Sequence, residues 1–325
     1  MRSDAYDLSR DAGAPPRVSV ILIVRDGERF IEEALASISA QTMSSYETIV
    51  IDDGSRDRTV EIVGRCVARD PTRMQLLRHE HGSNRGMSAS RNLGIRHARG
   101  GYITFLDHDD AMLPEKLARH TALLDAHPEV CAVVSPNIRW WSWSVGGGSR
   151  GARSSGDARV DDVPRQDDEV QQLGVNEQIV LAPPGLLPFF LRRTASTPQA
   201  PMVRREAIDA IGGFENAFTD MYEDQVFFAK LFLHGSVLVD TEPLHRYRQH
   251  DDSCVSRTHR DGRQRAARRR FLGWLQVRLA QVDDPVAEGL RPIVAAELRA
   301  SWFASLFASL RAVPSRVRAL LGFRR

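Results

Sequence analysis

Between residues 18 and 134 the chain switches repeatedly between two hydrophobic patterns. Val18–Val24 is a continuous apolar, β-branched run, the signature of a strand buried on both faces. From Glu28 to Gln41, Phe30, Ile31, Leu35 and Ile38 recur at helical spacing. Thr48–Ile51 is a second buried strand, ending in Asp52-Asp53-Gly54-Ser55, after which Asp57 or Ser55 can cap a helix over Thr59–Ala68. Met74–Arg78 predicts a third strand, and Met87–Ala98 a helix stopped by Gly100-Gly101. Ile103–Leu106 is the fourth strand, Pro114 opens the next helix, and Val130–Val134 is the fifth strand. Strands alternating with helices of this length build βαβ units, hence an α/β fold with a mostly parallel sheet flanked by helices.

Past residue 138 the pattern weakens. Trp140, Trp141 and Trp143 are read as core or hairpin packing rather than a sugar platform. They precede a Gly, Ser, Arg and Asp-rich stretch, 142–172, that reads as a flexible insertion. Beyond it, Met202–Arg205 leads into a short helix over Glu206–Ile211 that Gly212-Gly213 ends. Tyr222-Glu223-Asp224-Gln225 then introduces a buried helix, Val226–Leu233, followed by a strand over Val237–Val239. The chain divides into a disordered lead-in (1–16), a main α/β domain (17–257) and a basic helical tail (258–325). The domain has a first half (17–138), the insertion and a second half (173–257). The tail carries Trp302, Phe303, Leu306, Phe307 and Leu310 beside its arginines. It either packs on the domain or a second subunit, or lies on an anionic membrane surface.

Composition narrows this picture. A net charge of +2 over 325 residues gives no case for nucleic acid. Lys116 and Lys230 are the only lysines among 44 cationic side chains, so arginine clusters by themselves signal little. Three scattered cysteines form no zinc spacing or disulfide framework. With no apolar run near ~20 residues and a polar N-terminus, the expected location is cytoplasmic, with the inner face of the plasma membrane as the peripheral option.

The candidate chemistry lies at the strand ends. Tyr102–Leu106 runs into Asp107-His108-Asp109-Asp110, three carboxylates in four residues. Right-handed crossovers bring the carboxyl ends of parallel strands to one sheet edge, so Asp53 shares a crevice with Asp107 and Asp109. Such a cluster suits Mg²⁺ or Mn²⁺ bridging to a diphosphate, or else an acidic helix start.

In order and spacing these pieces resemble glycosyltransferase family 2. They are the buried first strand, Asp52-Asp53-Gly54-Ser55, Asn84-Arg85-Gly86 leading to Ser90-Arg91-Asn92-Leu93-Gly94, and Gly101-Tyr102-Ile103 running into Leu106–Asp110. Gly212-Gly213-Phe214 and Glu223-Asp224 extend the similarity to about residue 257. The resemblance implies a GT-A fold. It also implies an inverting, metal-dependent transfer of a sugar from a nucleotide-diphospho-sugar, with UDP the first expectation. The hydroxyl acceptor would be a saccharide or lipid-linked, in cell-envelope polysaccharide or glycolipid synthesis. Asp53 would hold the base, Asp52 lie near the ribose or base, and Arg91 meet the base or diphosphate. Asp109 would bind Mn²⁺ or Mg²⁺, with Asp107 on the ribose or metal, and His250 approaching the metal or diphosphate with Arg248 over the leaving group. Asp224 would be the catalytic base, Glu223 would hold the acceptor, and Tyr222 could stack on a sugar face.

One departure stands out. Relatives often end the first strand in Pro-x-Tyr-Asn, whereas this chain has Ile23-Val24-Arg25-Asp26, without the aromatic. Two other classes share some of these features. A nucleotidyltransferase would need a Gly-rich basic loop after the first strand, which Arg25-Asp26-Gly27-Glu28 fits poorly. A non-catalytic nucleotide-sugar-binding homologue would lack Glu223-Asp224.

Overall fold

The computed structural model describes residues 14–140, 163–164, 174, 176–191, 200–219, 221–250 and 253–312. Most of the expected lead-in, Trp141, Trp143 and nearly all of the insertion lie outside the described residues, as do the side chains of Phe303, Leu306, Phe307 and Leu310.

The first half alternates as its periodicity dictates. Its elements are β1 (Val18–Val24), α1 (Ile31–Ser39), β2 (Tyr46–Asp52), α2 (Thr59–Arg69), β3 (Met74–Arg78), α3 (Met87–His97) and β4 (Tyr102–Asp107). A short β5 (Ala111–Met112), α4 (Lys116–Ala126), β6 (Val130–Val134), β7 (Asn137–Trp140) and β8 (Val163–Pro164) follow. The second half holds β9 (Ile179–Leu181), α5 (Leu187–Leu191), β10 (Met202–Arg204), α6 (Arg205–Ile211), α7 (Glu223–His234), β11 (Ser236–Val239) and β12 (His245–Arg248). Three helices close the described chain: α8 (Cys254–Arg260), α9 (Gln264–Ala280) and α10 (Pro285–Ala312).

Eight strands form the main sheet in the order β3-β2-β1-β4-β10-β6-β11-β9. Its pairs are parallel except those of β9 and β10, so the mostly parallel α/β architecture stands. Strand alternation splits the core in two. Val18, Val20, Leu22 and Val24 pack beneath α1, α2 and α4. Ile21 and Ile23 face α3, α7 and the closing helices.

Two features were not legible in the hydrophobic pattern. Met202–Arg204, expected to lead into a helix, is an antiparallel strand between β4 and β6. Arg204 seats it by donating to the carbonyls of Leu124, His127 and Val130 at 2.6–3.1 Å. The second feature is a small sheet, β5-β12-β7-β8, outside the main one. Trp140 is buried there beneath the Arg248 guanidinium, 3.8 Å from its ring centroid, so it is core rather than platform.

The chain builds β1 to β3 outward in one direction and then returns to place β4 on the other side of β1. That reversal opens a crevice at the carboxyl ends, where α/β sheets bind ligands. Registers set Val24 beside Asp52 and Ile23 beside Asp107, so the two acidic strand ends flank β1. Helix α3 lies hard against this region because Gly94 has no side chain. A Cβ there would sit 2.5 Å from Ile21 Cγ2 and 2.9 Å from Ile51 Cδ1, both on fully buried residues. Gly94→Ala is therefore expected to destabilise the fold by about 1–3 kcal/mol through overpacking, measured by urea unfolding.

Candidate active site

The crevice is a cavity of about 420 Å³, lined by the end of β1 with Arg25, Asp26, Arg29 and Phe30, by Asp53, Asn84, Gly86 and Met87, and by Asp107, His108 and Asp109. His250, Ser253, Cys254 and Arg257 close the far wall. A second, smaller chamber, about 30 Å³, lies beyond it and is lined by Arg91, Asp107, Asp110, Phe214 and Asp224 among others. Asp107 is the residue common to both walls.

Asp53 is buried and faces the crevice, but its carboxylate also organises the loop entering α3. It accepts from the Arg85 and Gly86 amides at 2.7 and 3.0 Å and from Asn84 Nδ2 at 3.0 Å. Asp52 turns away from the cavity. It accepts from the Ser55 amide and from Arg78 Nε, at 3.1 and 3.0 Å. Asp26 takes a left-handed backbone, φ 50°, and accepts from the Arg56 amide. Asp and Asn tolerate that region best among residues with a side chain, which accounts for Asp standing in the Asn slot. The missing aromatic has no direct substitute at position 25, although Phe30 lies in the same wall.

Arg91 is at the centre of the site. It is buried, donates to Asp107 Oδ1 at 2.8 Å and to Glu223 Oε1 at 2.9 Å, and lies 5.3 Å from the Phe214 ring centroid. It thus joins the strand-end carboxylates of the first half to the acidic pair of the second. Glu223 and Asp224 occupy the first turn of α7. Burial, then the neighbouring Asp224, pushes the Glu223 carboxyl up to about 8 against the pull of Arg91.

Asp107, Asp109 and Asp110 bring carboxylate oxygens within 4.8 Å of one another, a spacing one divalent cation can span with hard oxygen donors. Arg91 engages one oxygen of Asp107, and His250 Nε2 lies 2.8 Å from Asp109 Oδ2. Burial resists ionisation of Asp109, but the His108 charge and the His250 hydrogen bond hold its carboxyl below the usual range. Asp110 has structural duties. It accepts from the Arg248 amide at 2.9 Å and pairs with His245 Nε2 at 3.0 Å, docking β12 onto the strand end. Asp107 and Asp109 are therefore better placed for a cation than Asp110.

Two sequence expectations change. Tyr222 does not face a sugar site: it is buried, with its ring 5.5 Å from that of Phe271 on α9. Arg248 does not cover a leaving group. It is buried between Phe30 and Trp140 and donates to Asp109 O at 2.7 Å. His79 is half-buried and 2.8 Å from Ser90 Oγ. Arg257, on a helix of seven residues too short to show a strong periodic signal, also lines the crevice.

The fold is that of a GT-A α/β protein. The glycosyl transferase family 2 model matches residues 19–158 of this chain. An uncharacterized glycosyltransferase of Haemophilus influenzae is 36% identical over 104 residues, 32% of this chain and 40% of its own length. EpsJ of Bacillus subtilis, also an uncharacterized glycosyltransferase, is 43% identical over 95 residues, 29% of this chain and 26% of its own. The chain thus spans less than half the length of these curated relatives. Among solved structures, TarS 1–349 of S. aureus in complex with UDP-GlcNAc has a TM-score of 0.61 at 21% identity, covering 94% of this chain and 83% of that one. The mannosyltransferase PcManGT of Pyrobaculum calidifontis, in complex with GDP-Man and Mn²⁺, has a TM-score of 0.58 at 19% identity, covering 95% and 79%. At these identities the likeness is one of fold. Among the described residues no helix is long and apolar enough to cross a membrane.

Proposed function

We propose that the chain transfers a sugar from a nucleotide-diphospho-sugar, UDP-linked as the first expectation, to a hydroxyl of a saccharide or lipid-linked acceptor, with inversion. The observation that carries this reading is Asp107. It stands in the wall shared by a crevice large enough for a nucleotide and a small chamber holding Asp224.

Asp53 and the loop it organises are proposed to meet the base, with Arg91 held ready beside the diphosphate. Asp107 and Asp109, with His250 beside them, would hold Mn²⁺ or Mg²⁺. A bound cation would offset the negative charge that builds on the nucleoside diphosphate as it leaves. Asp224 would take the proton of the acceptor hydroxyl as it attacks from the face opposite the leaving group. Arg25, Arg29 and Arg257 add positive charge around the crevice, favourable to a diphosphate. Synthesis of cell-envelope polysaccharide or glycolipid is proposed on the family resemblance alone.

The test is release of nucleoside diphosphate from a panel of UDP- and GDP-sugars with and without Mn²⁺. Metal-dependent release from one donor supports the reading, and no release from any donor, even with saccharide acceptors added, counts against it. Asp109→Ala is expected to weaken Mn²⁺-dependent donor binding by about 10–100-fold or more, since losing even a group that supports a metal ligand costs that much in metal affinity. Calorimetric titration of the donor into wild type and variant checks this.

A further inference from the structure

The segment from Phe214 to Tyr222 presents Glu223 and Asp224, and it is gripped from two sides. From α3, Asn92 exchanges hydrogen bonds with the Phe214 backbone at 2.8 Å and reaches Asn216 Oδ1 at 2.9 Å. Ser88 Oγ donates to Phe218 O at 2.7 Å. Gly213 permits this approach, because a Cβ there would meet Asn92 Oδ1 at 2.6 Å. From the other side comes α9, in the basic tail. Arg270 donates to Ala217 O and lies 4.9 Å from the Phe218 ring centroid, and Trp274 packs edge-on against the same ring at 6.2 Å.

The last point of the grip is Tyr222. This residue has φ 75° and ψ 5°, a left-handed backbone, at the N-cap of α7. A bulky non-glycine residue adopts that conformation only where its surroundings over-determine it. Here the Tyr222 ring stacks on Phe271, 5.5 Å between centroids at an interplanar angle of 18°, and Phe271 is fully buried. Arg268, whose charge acts on the Tyr222 hydroxyl, ties the same region to the Leu191 carbonyl at 2.6 Å and to Glu297 of α10 at 3.2 Å.

We propose that α9 is a positioning element of the active site, in which Phe271, Arg268 and Arg270 hold Tyr222 in its left-handed conformation and so aim Glu223 and Asp224 at the chamber beside Asp107. The tail is then a working part of the transferase, and truncating or loosening it misplaces the proposed base while leaving the nucleotide crevice intact. This inference rests on the transferase reading for its kinetic consequence, but not for its structural one.

The experiment compares wild type with Phe271→Leu, which keeps apolar bulk and removes the ring face. Arg270→Met serves as a milder second variant on a more exposed side chain. Val277→Ser is the control, on the same helix but 59% exposed and away from the segment. Two readouts are taken: donor turnover with Mn²⁺, as kcat and KM, and hydrogen exchange of the Val226 amide, which bonds to Tyr222 O at 3.0 Å. Phe271→Leu is expected to lower kcat about 10–100-fold with donor KM nearly unchanged, as for a small misplacement of a reacting group. Val226 exchange is expected to quicken about ten-fold or more while β1 and β4 stay protected. Arg270→Met moves both readouts the same way by less, and Val277→Ser moves neither. Unchanged Val226 exchange in Phe271→Leu overturns the proposal whatever the activity, and so does an unchanged kcat in an active enzyme. A wild type that neither binds nor cleaves any donor overturns the transferase reading alone, because exchange still reads the grip without substrate.

Discussion

Asp224→Asn is expected to lower the proposed sugar transfer by about 10²–10⁴-fold, the range for loss of a general base, and to leave nucleotide binding intact. The side chain is half-buried in the first turn of α7, with Oδ1 accepting from the Gln225 amide at 2.7 Å. Asn retains that acceptor and the volume, so the fold has no reason to change, but it cannot take a proton from a hydroxyl. The donor crevice is lined by other residues, so donor affinity stays near wild type. A fall in kcat with unchanged donor affinity is the expected pattern. Unchanged transfer would place the base elsewhere, and loss of donor binding would mean that Asp224 belongs to the donor site.

Arg91→Met carries the second large effect, on stability as well as activity. Arg91 is the cation between Asp107 and the buried Glu223. Breaking a buried pair by removing one partner costs about 3–5 kcal/mol because the other charge is left uncompensated. Glu223 lessens the penalty by holding its proton. Its carboxyl is already pushed up to about 8 by burial and Asp224 in the presence of Arg91. A carboxyl with a raised folded pKa contributes stability at low pH and loses it as pH rises through that value. The Arg91→Met defect is therefore smaller near pH 6 and widens as the solution is taken alkaline. Adding Glu223→Gln removes the buried acid and recovers part of the loss, a coupling that denaturant unfolding of the two single variants and the double variant measures. Additive losses would show that the pair is not energetically linked.

The parts of this protein that hydrophobic pattern fixes are readable in the sequence. β1, β6 and the central parts of β2 and β4 are mostly apolar runs, and the acidic residues at the ends of β2 and β4 had to meet at one sheet edge once the sheet was parallel. β10 was hidden because three residues cannot display a period, and its place depends on Arg204 reaching carbonyls about 75–80 positions away. Asp53, Asp107 and Asp109 were located by strand ends alone. Their partners were not, because Arg91–Glu223 and Asp109–His250 are contacts 132 and 141 residues apart. Tyr222 shows the limit most clearly. An aromatic beside two carboxylates suits a sugar site in sequence, but only the course of α9 shows that its ring is covered by Phe271.

The most direct measurement is thermal unfolding against UDP, GDP, TDP and CDP, each with and without Mn²⁺. A ligand at 100 times its dissociation constant adds roughly 2.7 kcal/mol, a rise of several degrees in a domain of this size. The account predicts a rise with one nucleotide that requires Mn²⁺ and disappears in Asp109→Ala. No rise with any nucleotide, or an equal rise without metal and in the variant, would contradict a metal–nucleotide site at Asp107 and Asp109.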